Sequence, residues 1–392
     1  MSIEGTFSRW GLKDNPFITL PPDKIEDRQR VFTGRRNEVS TLLSLVERPR
    51  GIFLCGLFGI GKSILILEIL RLLKAQGCIT TYAEYDRDDG FHLSILRALA
   101  HDVAEQSACP GEVYSILARG TSLARSEGSV TSDQIEDAIE SVRNAERALK
   151  SILHKQRSQD KRVIIALDEL DKSADIGNVH QIIQDTRSLI AAGATVILLG
   201  HPFGSTAQFS SSADVLSLIP LGPLSENELI EMMGRYLDLA REEHDPSTYP
   251  FTPGAARMIA RAISELALTP RIFNLACQLL LEYGAQAALG VIDVDFVSEK
   301  WPDIAEDFLT RTLKGEDNLY LEVIYRTRAV SEDTRSAIQE IGGPLAGYVE
   351  VRNILANLVQ KNILMEEERD GKRVLRLDPL FDPEKPLFRI IR

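Results

Sequence analysis

Long apolar runs are missing from this chain of 392 residues. No stretch approaches the roughly 18 apolar residues of a membrane span, so no membrane-embedded segment is expected. Cysteine is scarce. The four present (Cys55, Cys78, Cys109 and Cys277) are scattered and form no CxxC pair. Buried free thiols in a reducing cytoplasm fit that distribution. Positive charge is not in excess either: 45 Lys+Arg stand against 57 Asp+Glu, a net of −12. That balance excludes a generic polyanion binder, and any nucleic-acid contact must come from a local basic surface. The opening residues, MSIEGTFSRWGLKDNPF, lack the basic patch and apolar run of a secretory leader, so none is expected. Internal repeats and low-complexity segments are absent as well.

What is there is ordinary globular material. Hydrophobic residues make up 44% and charged residues 26%, enough for real cores in two or three domains. Residues 1–30 are rich in Pro and charge and read as an extended N-terminal strap. Residues 31–222 alternate helical patterns with short strands: RGIFLCG, CITTYAEYD, RVIIALDEL, apolar until it runs into acids, and ATVILLG. Strands apolar on both faces, separated by helices, predict a parallel α/β sheet. Residues 223–312 read as helices only, and residues 313–392 as three helices followed by two strands around an RDGK turn.

The strongest local signal is GLFGIGKS, residues 56–63, lying between a predicted strand and a predicted helix. Gly56, Gly61, Lys62 and Ser63 fit G-x-x-x-x-G-K-[ST]. Glycines allow the backbone of Gly56, Leu57, Phe58, Gly59, Ile60 and Gly61 to turn successive N–H groups toward phosphate oxygens. The helix start at Ser63 and Ile64 adds a partial positive charge. Lys62 is expected to reach the β- and γ-phosphates of ATP, and Ser63 to ligate Mg²⁺. Asp168 and Glu169, at the end of the strand VIIALD and 106 positions beyond Lys62, supply the complementary acids. Asp168 is expected to hold Mg²⁺, directly or through water, and Glu169 to act as general base on the attacking water. Two adjacent acids suit hydrolysis better than transfer, and no acceptor site for a kinase is evident. His201, after ATVILLG, is a candidate for holding the water or the γ-phosphate. Pro270 suits a first helical turn, and Arg271 behind it is a candidate for sensing the phosphates.

In this order, GLFGIGKS, LDELDK, ILLGHP and LTPR followed by an all-helical segment resemble the Walker A, Walker B, sensor 1 and sensor 2 of an AAA+ ATPase, over residues 8–310. WGLKDNPF and VFTGRRNEVSTLL are similar to the opening of the ExeA/MuB/TniB/TnsC group. LDELD and the C-terminal unit look more like the origin-recognition initiators of archaea and eukaryotes, and FTGR is shared with STAND signalling ATPases. The fold implied is a P-loop AAA+ core with a parallel sheet, an all-helical lid and a C-terminal winged helix-turn-helix. The resemblance also implies ATP-dependent homo-oligomers with nucleotide between subunits. Such families place an arginine after sensor 1, yet residues 201–233 contain no Arg or Lys. Arg187 is a possible substitute. An arginine finger contributes about 10³–10⁵ in rate, so slow hydrolysis is expected, as suits a switch.

Within the C-terminal unit, Arg352, Asn353, Asn357, Gln360 and Lys361 of the third helix are candidates for DNA contact, with Lys372, Arg373, Arg369 and Arg376 on the wing. Between residues 314 and 392 the balance is nearly even, 13 Lys+Arg against 14 Asp+Glu. Glu350 and the run Glu366, Glu367, Glu368 oppose a DNA surface and suit a protein partner instead.

Overall fold

The computed structural model describes residues 7–17, 30–56, 59–106, 110–118, 131–142, 144–170, 176–200, 209, 212, 214–265, 269–312, 330, 331, 355, 356, 358, 359, 364–369 and 372–377. The chain divides into two compact units, one of residues 34–222 and one of residues 1–33 with 223–392.

The first unit is built on a five-stranded parallel sheet in the order β2-β3-β4-β1-β5. Its strands are β1 (Gly51–Cys55), β2 (Ile79–Glu84), β3 (Val163–Asp168), β4 (Ala194–Gly200) and β5 (Leu216–Pro220). Every residue of β1, β3 and β4 is buried, as strands covered by helices on both faces must be. The helices are α1 (Arg36–Leu45), α2 (Lys62–Ala75), α3 (Gly90–Gln106), α4 (Pro110–Leu117), α5 (Ser132–Glu140), α6 (Ala145–Ser158) and α7 (Ile176–Ala191). In α2 the buried residues Leu65, Ile66, Ile69, Leu70 and Leu73 recur at helical spacing. The helix stops at Gly77, whose φ of +83° is a left-handed ending that favours glycine.

β5 is a strand that the sequence did not announce. LSLIP is an edge strand, paired only with β1, and its burial alternates instead of being continuous. It also ends on a proline, which is tolerated at an edge but masks the strand signal.

The second unit contains α8 (Glu226–Leu239), α9 (Pro253–Glu265), α10 (Pro270–Gln286) and α11 (Val294–Thr312). A reciprocal capping box between Ser225 and Glu228 starts α8. Of the expected N-terminal strap, residues 7–17 and 30 are described. Ser8–Trp10 form a 3-10 turn closed by Gly11, and Phe7, Trp10, Leu12 and Phe17 are buried in the core of this unit. Phe17 stacks on Tyr236 at 5.8 Å, and the Trp10 indole donates to the carbonyls of Leu289 and Gly290 at 3.1 Å.

Toward the C-terminus, β6 (Val330–Ser331), β7 (Leu364–Arg369) and β8 (Lys372–Leu377) form an antiparallel sheet in the order β6-β8-β7. The register Arg369↔Lys372 leaves Asp370 and Gly371 as the connection. The first two expected helices of the winged helix, with Arg352, Asn353, Asn357, Gln360 and Lys361 of the third, lie outside the described residues.

Candidate nucleotide site

β1 carries the chain to Gly56, and α2 begins at Lys62. Between them, Gly59 and Gly61 sit at φ +77° and +99°, conformations that side chains resist. Gly56 is needed for a different reason. A Cβ there would meet Ile60 Cγ2 at 2.8 Å and Leu221 Cβ and O at 3.1 Å. Two ladder-like bonds fix this corner: Gly56 N–H donates to Gly200 O (3.2 Å) and Leu221 N–H to Cys55 O (2.7 Å). Leu57 and Phe58 lie outside the described residues.

The Lys62 ammonium is buried and donates to the carbonyl of Gly56 at 2.8 Å, so it lies back across its own loop. Ser63 Oγ donates to Asp168 Oδ2 at 2.5 Å. The acid at the end of β3 is thus brought to the first turn of α2, 105 residues away in sequence. Asp168 is buried, and its other oxygen accepts from the N–H of Glu169 at 2.7 Å. Glu169 is half-buried with φ +65°. A left-handed non-glycine residue of this kind is concentrated at functional sites.

β4 lies between β1 and β3, with Leu167 opposite Leu198 and Cys55 opposite Gly200. Gly200 is therefore at the same sheet edge as Asp168. His201, the next residue, lies outside the described residues. Pro270 stands in the first turn of α10 as expected, and Arg271 behind it is half-buried, where burial lowers its pKa. Both belong to the second unit. The exposed Arg187 guanidinium pairs with Asp214 and donates to Gln184. Arg235, the first basic residue after the gap, binds Phe32 O and Glu231.

Two residues of the site were not read from the sequence. Arg35 is buried with its guanidinium on Ile60 O (3.1 Å) and Glu38 (3.1 Å). Tyr82 Oη donates to Asp168 Oδ2 at 2.7 Å. A cleft of about 920 Å³ opens beside Tyr82, lined also by Glu84, Asp86, Arg97, His101 and Glu169.

Hard cations such as Mg²⁺ take oxygen ligands, typically one or two carboxylates plus phosphate oxygens. The Ser63 hydroxyl and Asp168 carboxylate, already in contact, fit that chemistry. Among the described residues no group of three or more His, Cys, Asp or Glu is placed to hold a metal ion. No helix among them is long and apolar enough to cross a membrane.

Residues 31–199 match the family model described as AAA ATPase domain. An uncharacterized HTH-type transcriptional regulator of Methanocaldococcus jannaschii is 23% identical over 326 residues, covering 76% of this chain and 74% of that one. Solved structures that are similar include the Orc1 protein of Aeropyrum pernix in complex with DNA, at 15% identity, 96% of both chains and a TM-score of 0.48. The Cdc6p structure of Pyrobaculum aerophilum is similar at 13% identity, 96% of this chain, 97% of that one and a TM-score of 0.42.

Proposed function

We propose that this protein is an ATP-binding, slowly hydrolysing AAA+ switch that assembles with ATP in the cytoplasm and engages DNA through a C-terminal winged helix. The observation that carries the nucleotide part is the contact of Ser63 with Asp168 at 2.5 Å, beside a buried Lys62. Lys62 exchanges the Gly56 carbonyl for the β- and γ-phosphates, and the loop N–H groups and the α2 terminus hold the remaining charge. Ser63 and Asp168 would hold Mg²⁺, which when bound would neutralise charge building on the phosphate oxygens. Glu169 takes a proton from the attacking water as the γ-phosphorus leaves its bridging oxygen, giving ADP and phosphate. His201 and Arg271 are the proposed reporters of the γ-phosphate. Slow turnover follows from the basic gap at residues 201–233.

DNA engagement is supported by the relative's description as an HTH-type regulator and by the hairpin of β7 and β8. The hairpin carries Arg369, Lys372, Arg373 and Arg376 along its two strands. One observation favours a second reading, a STAND-like switch whose winged helix binds protein: Glu366, Glu367 and Glu368 stand in sequence along β7.

The test is duplex DNA binding with ATP, with ADP and without nucleotide over a salt series. Phosphate contacts weaken binding steeply as salt rises. Binding confined to the ATP state with a steep slope supports the reading, and no binding in any state leaves the protein-partner alternative. Glu169→Gln separates the steps at the other site: ATP stays bound and turnover is lost. Turnover that survives this change removes Glu169 as the base.

A further inference from the structure

Asp168 is held from a side that the loop and acid motifs do not account for. Tyr82 stands on β2, and β2 runs parallel to β3 with Glu84 opposite Asp168 and Tyr82 opposite Ala166. Because side chains alternate along strands, Tyr82, Ala166, Glu84 and Asp168 fall on one face of the sheet. The small Ala166 leaves the phenol room to reach along the face to the carboxylate, where it donates at 2.7 Å.

A phenol, with an ordinary pKa of about 10, is protonated at neutral pH and donates. A carboxylate offers about four lone-pair directions. Tyr82 takes one on Oδ2 and the Glu169 N–H takes one on Oδ1. What is left to a cation is the direction Ser63 now fills and one more on Oδ1. Two fixed donors thus define which way the carboxylate faces.

We propose that Tyr82 is a positioning residue for the metal–nucleotide site, orienting Asp168 so that its carboxylate and the Ser63 hydroxyl form one preset pair of oxygen ligands. It acts through Asp168 and touches no phosphate. The inference rests on the reading of residues 56–63 as a Mg²⁺–ATP site. Partners that orient a metal ligand in this way typically contribute 10–100-fold in metal affinity.

The test uses the full chain and a fluorescent ATP analogue, titrated in EDTA and in Mg²⁺. The ratio of the two dissociation constants is the metal-linked gain. Y82F is expected to lower that gain about 10-fold or more while leaving affinity in EDTA unchanged. In a D168N background Y82F is expected to change the gain no further. A merely structural role would weaken binding in EDTA as well, or act equally in both backgrounds, and either result overturns the inference. So does a gain unchanged in Y82F. If Y82F lowers the melting temperature, the comparison across the D168N background still isolates the coupling. A wild-type protein with no metal-linked gain overturns the metal-site reading itself, and this inference with it.

Discussion

The guanidinium of Arg35 donates to the carbonyl of Ile60 at 3.1 Å, tying the start of α1 to the phosphate loop. Arg35 is 6% exposed and has φ +59°, a backbone conformation that side chains rarely adopt. Its other nitrogen meets Glu38 at 3.1 Å, within the first turn of α1. The loop is therefore braced from outside its own motif by a buried cation.

Arg35→Ala leaves the Ile60 carbonyl and the Glu38 carboxylate without this partner. Losing a partner to a buried polar group costs about 1–3 kcal/mol, so a stability loss of that order is expected. Nucleotide affinity should fall as well, because the loop loses a fixed point. Denaturant unfolding with and without ATP measures both. Unchanged affinity in a folded variant would show that the brace serves only the fold.

Gly56→Ala tests the loop from inside. The added methyl would come within 2.8 Å of Ile60 Cγ2 and 3.1 Å of the Leu221 backbone oxygen. Since Leu221 N–H is held by Cys55 O at 2.7 Å, that backbone has little freedom to retreat. Overpacking of this kind costs about 1–3 kcal/mol, read as a lower unfolding midpoint. Gly61→Ala provides a contrast: no heavy atom of the described residues lies within 4 Å of its Cβ position, and the strain there comes from φ +99°.

These two positions show how unevenly the site was written in the sequence. GLFGIGKS and LDE name themselves by residue type and spacing, since phosphate chemistry fixes both. The continuous apolar strands β1, β3 and β4 were equally plain, because burial on two faces leaves no polar positions. Arg35 and Tyr82 were silent. Each acts through one long-range contact, and nothing in local spacing marks an arginine in a turn or a tyrosine in a strand as a partner of a distant group. The edge strand β5 was hidden for the opposite reason: half its residues face away from the core, so the apolar run breaks up. Likewise Phe7, Trp10 and Phe17 were overlooked as core residues, because proline and charge dominate the segment around them.

Lys62→Ala probes the nucleotide reading most directly. In the wild type, ATP at 100 times its dissociation constant stabilises the folded state by about 2.7 kcal/mol. In the variant this ATP-dependent rise in melting temperature should vanish. The buried Gly56–Lys62 hydrogen bond is lost too, so the comparison is between each protein with and without ATP. An undiminished ligand shift would remove Lys62 from the phosphate site.

Asp238 gives the second unit a defined response to acid. This buried carboxylate accepts from the Asp245 N–H at 2.7 Å, His244 Nδ1 at 2.8 Å and Arg30 Nη2 at 3.2 Å. Burial alone would raise its pKa, but the three donors outweigh it and the net shift is downward. The sign follows. A carboxyl with a depressed folded value adds stability that is fully present above its unfolded pKa, about 3.9. That stability is lost as pH falls through the lower folded value. Asp238→Asn keeps the shape and removes the charge. Hydrogen bonds to charged groups contribute about 1.5–3 kcal/mol, so a loss of that order is expected at pH 7. At a pH below the folded value both proteins should be equally stable. Urea unfolding at pH 7 and through the acid range measures the difference. Should the wild type and the variant lose stability in parallel below pH 4, Asp238 does not carry the acid response.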